Sequence, residues 1–174
     1  MSEKENLFED GLEKHPLGRI IIGNLIMFIW FILGALACWY IHPILGLVYF
    51  IVAFVLVYIV LRKVVCVNCY YYEKWCGLGW GKLCAIMFKK GSLEEFSTSI
   101  GLKLAPATYG LLMIIPLVLL IVSIIQVFSW YKIIVLILLL LISFYSGGPG
   151  RRVACSRCKM NTICPGSTVK KKKE

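Results

Sequence analysis

Eight cysteines carry most of the chemistry this chain can offer, and six of them fall into two short phrases. Arg62-Lys63-Val64-Val65-Cys66-Val67-Asn68-Cys69 is followed by Cys76, and Arg151-Arg152-Val153-Ala154-Cys155-Ser156-Arg157-Cys158 by Cys164, giving C-x2-C-x6-C and C-x2-C-x5-C. A C-x2-C pair turns two thiolates toward one point, which is why metal sites reuse it. The basic residues Arg62, Lys63, Arg151, Arg152 and Arg157 are expected to lower the nearby thiol pKa values and to offset thiolate charge. The candidate metal ligands are therefore Cys66, Cys69, Cys76, Cys155, Cys158 and Cys164. Cys38 reads as a small buried hydrophobe inside an apolar run, and Cys84 as packing or an extra ligand, with packing preferred.

Two metals suit this donor set. A zinc site takes four ligands, usually in pairs, and Cys66, Cys69, Cys155 and Cys158 could supply a shared all-thiolate site. That leaves Cys76 and Cys164 without a role. Three close cysteines plus a remote one is a recurrent iron–sulfur pattern, so an iron–sulfur cluster is preferred, with zinc as the alternative. The stretch from Cys155-Ser156-Arg157-Cys158 through Cys164-Pro165-Gly166 resembles, locally, the cluster-binding extensions of some radical enzymes and nucleases. The resemblance covers about ten residues. It implies a cluster, but no activity, because neither enzyme core is present. A third reading is reversible dithiol chemistry. Four spans with C-x2-C motifs superficially resemble the membrane oxidoreductases that feed quinones, although those keep their working cysteines on the outer side. A carrier of soft metal ions is a weaker reading, since only Cys38 offers a thiol inside a span.

The elements that must position these thiols are membrane helices. The chain has 174 residues, 60% of them hydrophobic, and a mean hydropathy of +0.83. Charge is scarce within four apolar runs, 20–41, 44–61, 105–128 and 130–145, and dense between them. A run of roughly 20 apolar residues spans a bilayer as a helix, and lipid leaves open backbone no other choice. The first 19 residues are polar and rather acidic, so the first run reads as a retained span and not as a signal peptide.

The predicted organisation is a segment 1–19, a transmembrane hairpin 20–61, a loop 62–104 rich in cysteine and aromatics, a second hairpin 105–146 and a basic tail 147–174. His42-Pro43 turns the first hairpin and residues 129–132 turn the second, so both ends and the long loop share one side. That side carries 18 of the 19 Lys and Arg residues, with Lys132 opposite, and the positive-inside rule makes it cytoplasmic. The net charge of +10 is then read as attraction to anionic lipid head groups and not to nucleic acid. Lys170 to Lys173 read as a solvated tail that also resembles a dilysine retrieval signal.

Cys66 and Cys155 lie 89 residues apart, and Cys76 and Cys164 lie 88 apart, so the two units read as tandem repeats. Pro106 is expected to open the second hairpin, Pro116 to kink the third span, and Asn24 to bond to another span or lie near the head groups. Leu83 to Phe88 fits an interfacial helix, and Ser92 with Glu95 matches a capping box that should start one more short helix. No HExxH, nucleophile elbow or P-loop occurs, and no bis-histidine haem site can form from His15 and His42, so no enzyme class is assigned. The expectation is an all-α, multi-pass membrane protein with a Cys-rich cytoplasmic face, a bound metal, a lipid partner and a possible protein redox partner.

Overall fold

A computed structural model describes residues 7–169. The acidic residues Glu3 and Glu5 and the lysine run from Lys170 to Lys173 lie outside the described residues. The elements are all helical: α1 Leu17–Trp39, α2 Pro43–Val55, α3 Leu61–Val65, α4 Trp80–Met87, α5 Ile100–Gln126, α6 Trp130–Gly147 and α7 Pro149–Ser156. Four stretches are long and apolar enough to cross a membrane: Leu17–Trp39, Pro43–Asn68, Ile100–Gln126 and Trp130–Ser156. Among the described residues there is no strand, only an isolated parallel bridge between Leu12 and Cys158.

The second span is longer than its hydropathy suggests. From α2 it runs through a π turn, Leu56–Val60, into α3 and then a 3-10 turn, Cys66–Asn68. The sequence reading stops at residue 61 because Arg62 and Lys63 look like loop. The helix continues because the Arg62 side chain finds aromatic cover, described below. The third span also starts earlier than expected, at Ile100, where the Ser99 hydroxyl accepts a hydrogen bond from the Gly101 amide. Pro106 therefore lies inside α5, and does not open it. The helix expected after Ser92 does not form: the Ser92 hydroxyl accepts from the Glu94 amide, but turns follow up to Ser99.

α1 is the centre of the bundle and packs against α2, α5 and α6. Its contact with α2 needs two glycines. A Cβ on Gly34 would stand 2.5 Å from the Tyr49 hydroxyl, and one on Gly46 would stand 2.7 Å from the Ala35 carbonyl. Tyr49 uses that space to reach α5, where its hydroxyl donates to the Leu112 carbonyl at 2.6 Å. Pro116 explains why that carbonyl is free, since proline has no amide to return a helical bond four residues back. In lipid an unpaired carbonyl is costly, so Tyr49 satisfies what Pro116 leaves open. Trp30 on α1 ties α6 in the same manner, donating its indole N–H to the Ser143 hydroxyl at 2.9 Å. Around this core, most large Leu, Ile, Val and Phe side chains of the four spans face outward, as lipid-facing surfaces do.

The two ends of the bundle are chemically distinct. At one end are the hairpin turns. His42 accepts from the Ile44 amide, and buried Lys132 donates to the Ser123 and Val127 carbonyls at 2.9 and 2.8 Å. This ammonium closes the C-terminal carbonyls of α5 and complements its dipole. At the other end the N-terminal segment, the long loop and the tail are stitched together. Phe8 and Leu12 donate backbone bonds to Lys159 and Arg157, and His15 donates to Trp75, each at 2.9 Å.

Candidate metal centre

Both C-x2-C motifs fold into the same local turn. The Cys69 amide donates to the Cys66 carbonyl at 3.3 Å, and the Cys158 amide to the Cys155 carbonyl at 3.2 Å. The first turn caps the second span, and the second caps α7. Further backbone bonds place the trailing cysteines: Cys164 donates to Met160 at 2.8 Å, and the Cys76 carbonyl accepts from Gly79 at 2.9 Å. Gly79 has φ +72° and a Cβ there would stand 2.6 Å from Ile20, so this turn needs glycine twice over.

Tyr71 is the pin between the two phrases. Its hydroxyl donates to the Leu12 carbonyl at 2.5 Å and accepts from the Lys159 amide at 3.1 Å, and it stands beside the Cys158 thiol. Tyr71, Phe96 and Met160 form a small buried cluster against which Cys69, Cys76, Cys158 and Cys164 all pack. Four of the six candidate ligands, two from each phrase, thus share one apolar nest. Cys69 lies within Coulombic reach of Cys76, Cys158 and Cys164, and Cys158 of Cys164 and Cys155. Cys66 is turned the other way, toward the core of the bundle, and Cys155 packs in neither apolar cluster.

All eight cysteines are free thiols. Among the described residues, no three His, Cys, Asp or Glu side chains are disposed to hold a metal ion. The sulfurs are therefore gathered but not convergent. The expected lowering of thiol pKa values by the basic residues does not hold in the nest. Burial pushes Cys69 up to about 12 and Cys158 up to about 11, and raises Cys164 despite Arg151 nearby. Removal from water outweighs the guanidinium because Arg151 is exposed and its charge is screened.

Three residues outside the ligand set shape the site. Cys84 is fully buried on α4, and its thiol donates to the Arg62 carbonyl at 3.6 Å. Asn24 joins span to loop: its amide donates to the Ile20 and Leu78 carbonyls at 2.8 Å, while its oxygen accepts from Tyr58 and Trp80. His15, which the sequence leaves outside the ligand set, lies close to the first phrase. It is buried beside the Cys76-Gly77 segment, its ring centroid 5.6 Å from that of Tyr71, with no hydrogen bond to Nδ1. Burial first, then Arg19 and Arg157, lower its pKa and keep the imidazole neutral. A lone histidine some sixty residues before Cys76 carries no sequence signal for that placement. Comparison with known proteins finds no family model, no curated protein and no solved structure that matches this chain.

Proposed function

We propose that this chain is a membrane-embedded metal-binding module, built from two tandem hairpin units whose cysteine phrases share one centre at the cytoplasmic face. The observation that carries the reading is the nest of Cys69, Cys76, Cys158 and Cys164 around Tyr71, Phe96 and Met160. Two distant parts of the chain deliver half-buried soft donors to one apolar cluster, and thiols suit soft thiophilic metals. Metal uptake requires the thiol protons to leave and the sulfurs to turn inward.

The six candidate ligands of the two phrases exceed the four that zinc takes, so an iron–sulfur cluster is preferred. When bound, it supplies one-electron redox chemistry for electron transfer or redox sensing beside a protein partner. The second reading is structural zinc, favoured by the fact that the nest holds four thiols and joins loop to tail. The cytoplasmic placement rests on the basic bias of that end, and basic residues there face anionic lipid.

Anaerobic purification, an absorption spectrum and quantification of iron, acid-labile sulfide and zinc test the proposal. Iron with sulfide and visible absorption supports the first reading. One zinc per chain with no visible absorption supports the second. Protein free of metal, with thiols that cycle in a mild redox titration, overturns both. Labelling of Cys155 by an impermeant maleimide from outside intact cells would overturn the cytoplasmic placement.

A further inference from the structure

Arg62 stands on α3, where the apolar run of the second span ends, and is only 3% exposed. Its guanidinium carbon lies 4.5 Å from the Tyr58 ring centroid and 5.3 Å from the Trp80 ring. Both rings are held in place. Tyr58 belongs to the π turn and stacks on Phe54 with centroids 4.8 Å apart. The Asn24 oxygen on α1 accepts from the Tyr58 hydroxyl at 3.4 Å and from the Trp80 indole at 3.3 Å. The span, α1 and α4 thus build one place for this cation. A π turn inside a helix is itself a frequent mark of a functional site.

The rings leave the hydrogen-bonding edge of the guanidinium unused. Nε and Nη2 are buried and have no hydrogen-bond partner. These two nitrogens share one edge, the fork that grips two oxygens of a carboxylate or a phosphate. A buried cation with open N–H groups calls for an anion, because aromatic faces do not replace its lost hydration. The helices have none to give: no Asp or Glu occurs in any of α1 to α7. A charged side chain this deep in a membrane helix is rare, and is paired or functional.

Position selects the anion. Lys63 follows Arg62 directly. Beyond the span, Lys82 on α4 lies 4.8 Å from the Trp75 ring, and Lys74 lies 4.0 Å from the Tyr70 ring. Basic side chains paired with Trp and Tyr mark the head-group level of a bilayer, where lipid phosphates lie. Phosphate, with more charge and more acceptor oxygens than a carboxylate, suits this basic level best.

We propose that Arg62 is a binding site for a phosphate oxyanion, carried by an anionic lipid head group at the Cys-rich end of the bundle. Tyr58 and Trp80 hold the guanidinium with its fork open, and Nε and Nη2 each donate to one phosphate oxygen. The site uses no metal, so it stands or falls apart from the metal-binding reading.

The test titrates the purified, delipidated full-length chain in detergent with dioleoyl phosphatidic acid, dioleoyl phosphatidylcholine or inorganic phosphate, and counts bound lipid by native mass spectrometry. The native chain should take phosphatidic acid in preference to phosphatidylcholine. Arg62→Met should weaken phosphatidic acid binding about 10–100-fold, the worth of charge-assisted hydrogen bonds. Arg62→Lys should recover only part of the loss, because an ammonium keeps the charge but not the fork. The exposed Arg151→Met should bind like the native chain. If Arg62→Met fails to fold by circular dichroism, Arg62→Gln carries the same expectation, and phosphorus NMR of the native chain must still show a saturable phosphatidic acid site. Inorganic phosphate that binds through Arg62 where the lipid does not would keep the phosphate site and overturn the lipid source. A purely structural role would lower the stability of the lipid-free variant and leave its lipid preference unchanged. That result, or a native chain that binds neither ligand, overturns the proposal.

Discussion

Arg62 and Arg151 hold the same place in the two phrases, each four residues before the first cysteine. Arg62 is buried at 3% exposure between Tyr58 and Trp80, with N–H groups left open. Arg151 is exposed and spends its Nη2 on the Gly166 carbonyl at 2.8 Å. The cysteines that follow differ in the same sense. Cys66 continues the second span and faces the core, whereas Cys155 follows a helix break at Gly148 and lies outside both apolar clusters. Only the second cysteine of each phrase, Cys69 and Cys158, enters the shared nest, each with its trailing partner. Repetition in sequence thus gives equal turns but unequal surroundings.

The sharpest break of that comparison is removal of the nest cysteines. Cys69→Ser and Cys158→Ser should each abolish bound metal, whereas Cys155→Ser should weaken it by no more than about tenfold, by analogy with groups that act on ligands from outside. Metal per chain after anaerobic purification checks this. The arginines come next. Arg62→Met removes the cation from between Tyr58 and Trp80 and should cost about 1–2 kcal/mol of stability, while the exposed Arg151→Met should cost about 0.5 kcal/mol or less, as measured by unfolding in a mixed-detergent titration.

The fold was legible where hydropathy alone decides. Four spans, the tight turns at His42 and Ser129 and the gathering of both ends with the loop follow from apolar runs and from where charge is tolerated. The reading lost accuracy where a side chain acts against its type. Arg62 looks like the end of a span, and only Tyr58 and Trp80, separated from it by 4 and 18 residues, reveal that the helix can carry it inward. Pro106 looks like a helix opener, yet α5 accommodates it six residues after Ile100. The six candidate ligands were recognisable from spacing. Their division was not, because placing Cys69 with Cys158 depends on Tyr71, Leu12 and Lys159 meeting across the whole chain. The basic neighbours misled on acidity, since local charge is visible in a sequence and burial is not.

That burial has its own consequence. Folding raises the Cys69 thiol from an ordinary 9.0 to about 12, and Cys158 to about 11. In this window the unfolded chain releases protons that the folded chain retains, so the stability these thiols contribute is full below pH 9 and is lost as pH rises toward 12. Chemical unfolding of the metal-free protein at a series of alkaline pH values should show the decline, and Cys69→Ala should flatten it more than Cys158→Ala. The smallest expected effect concerns the hairpins. Tyr49→Phe leaves the Leu112 carbonyl beside Pro116 without a partner and should cost about 1 kcal/mol. Unfolding in a mixed-detergent titration measures it, and Pro116→Ala should relieve the loss by restoring a helical amide.

The account depends most on one centre being shared by both phrases. Iron, sulfide and zinc content per chain, measured side by side on the native protein, Cys69→Ser and Cys158→Ser, tests this most directly. A shared centre predicts metal in the native protein and none in either variant. Two variants that each keep about half of the native metal, or a native chain that binds none, would contradict it.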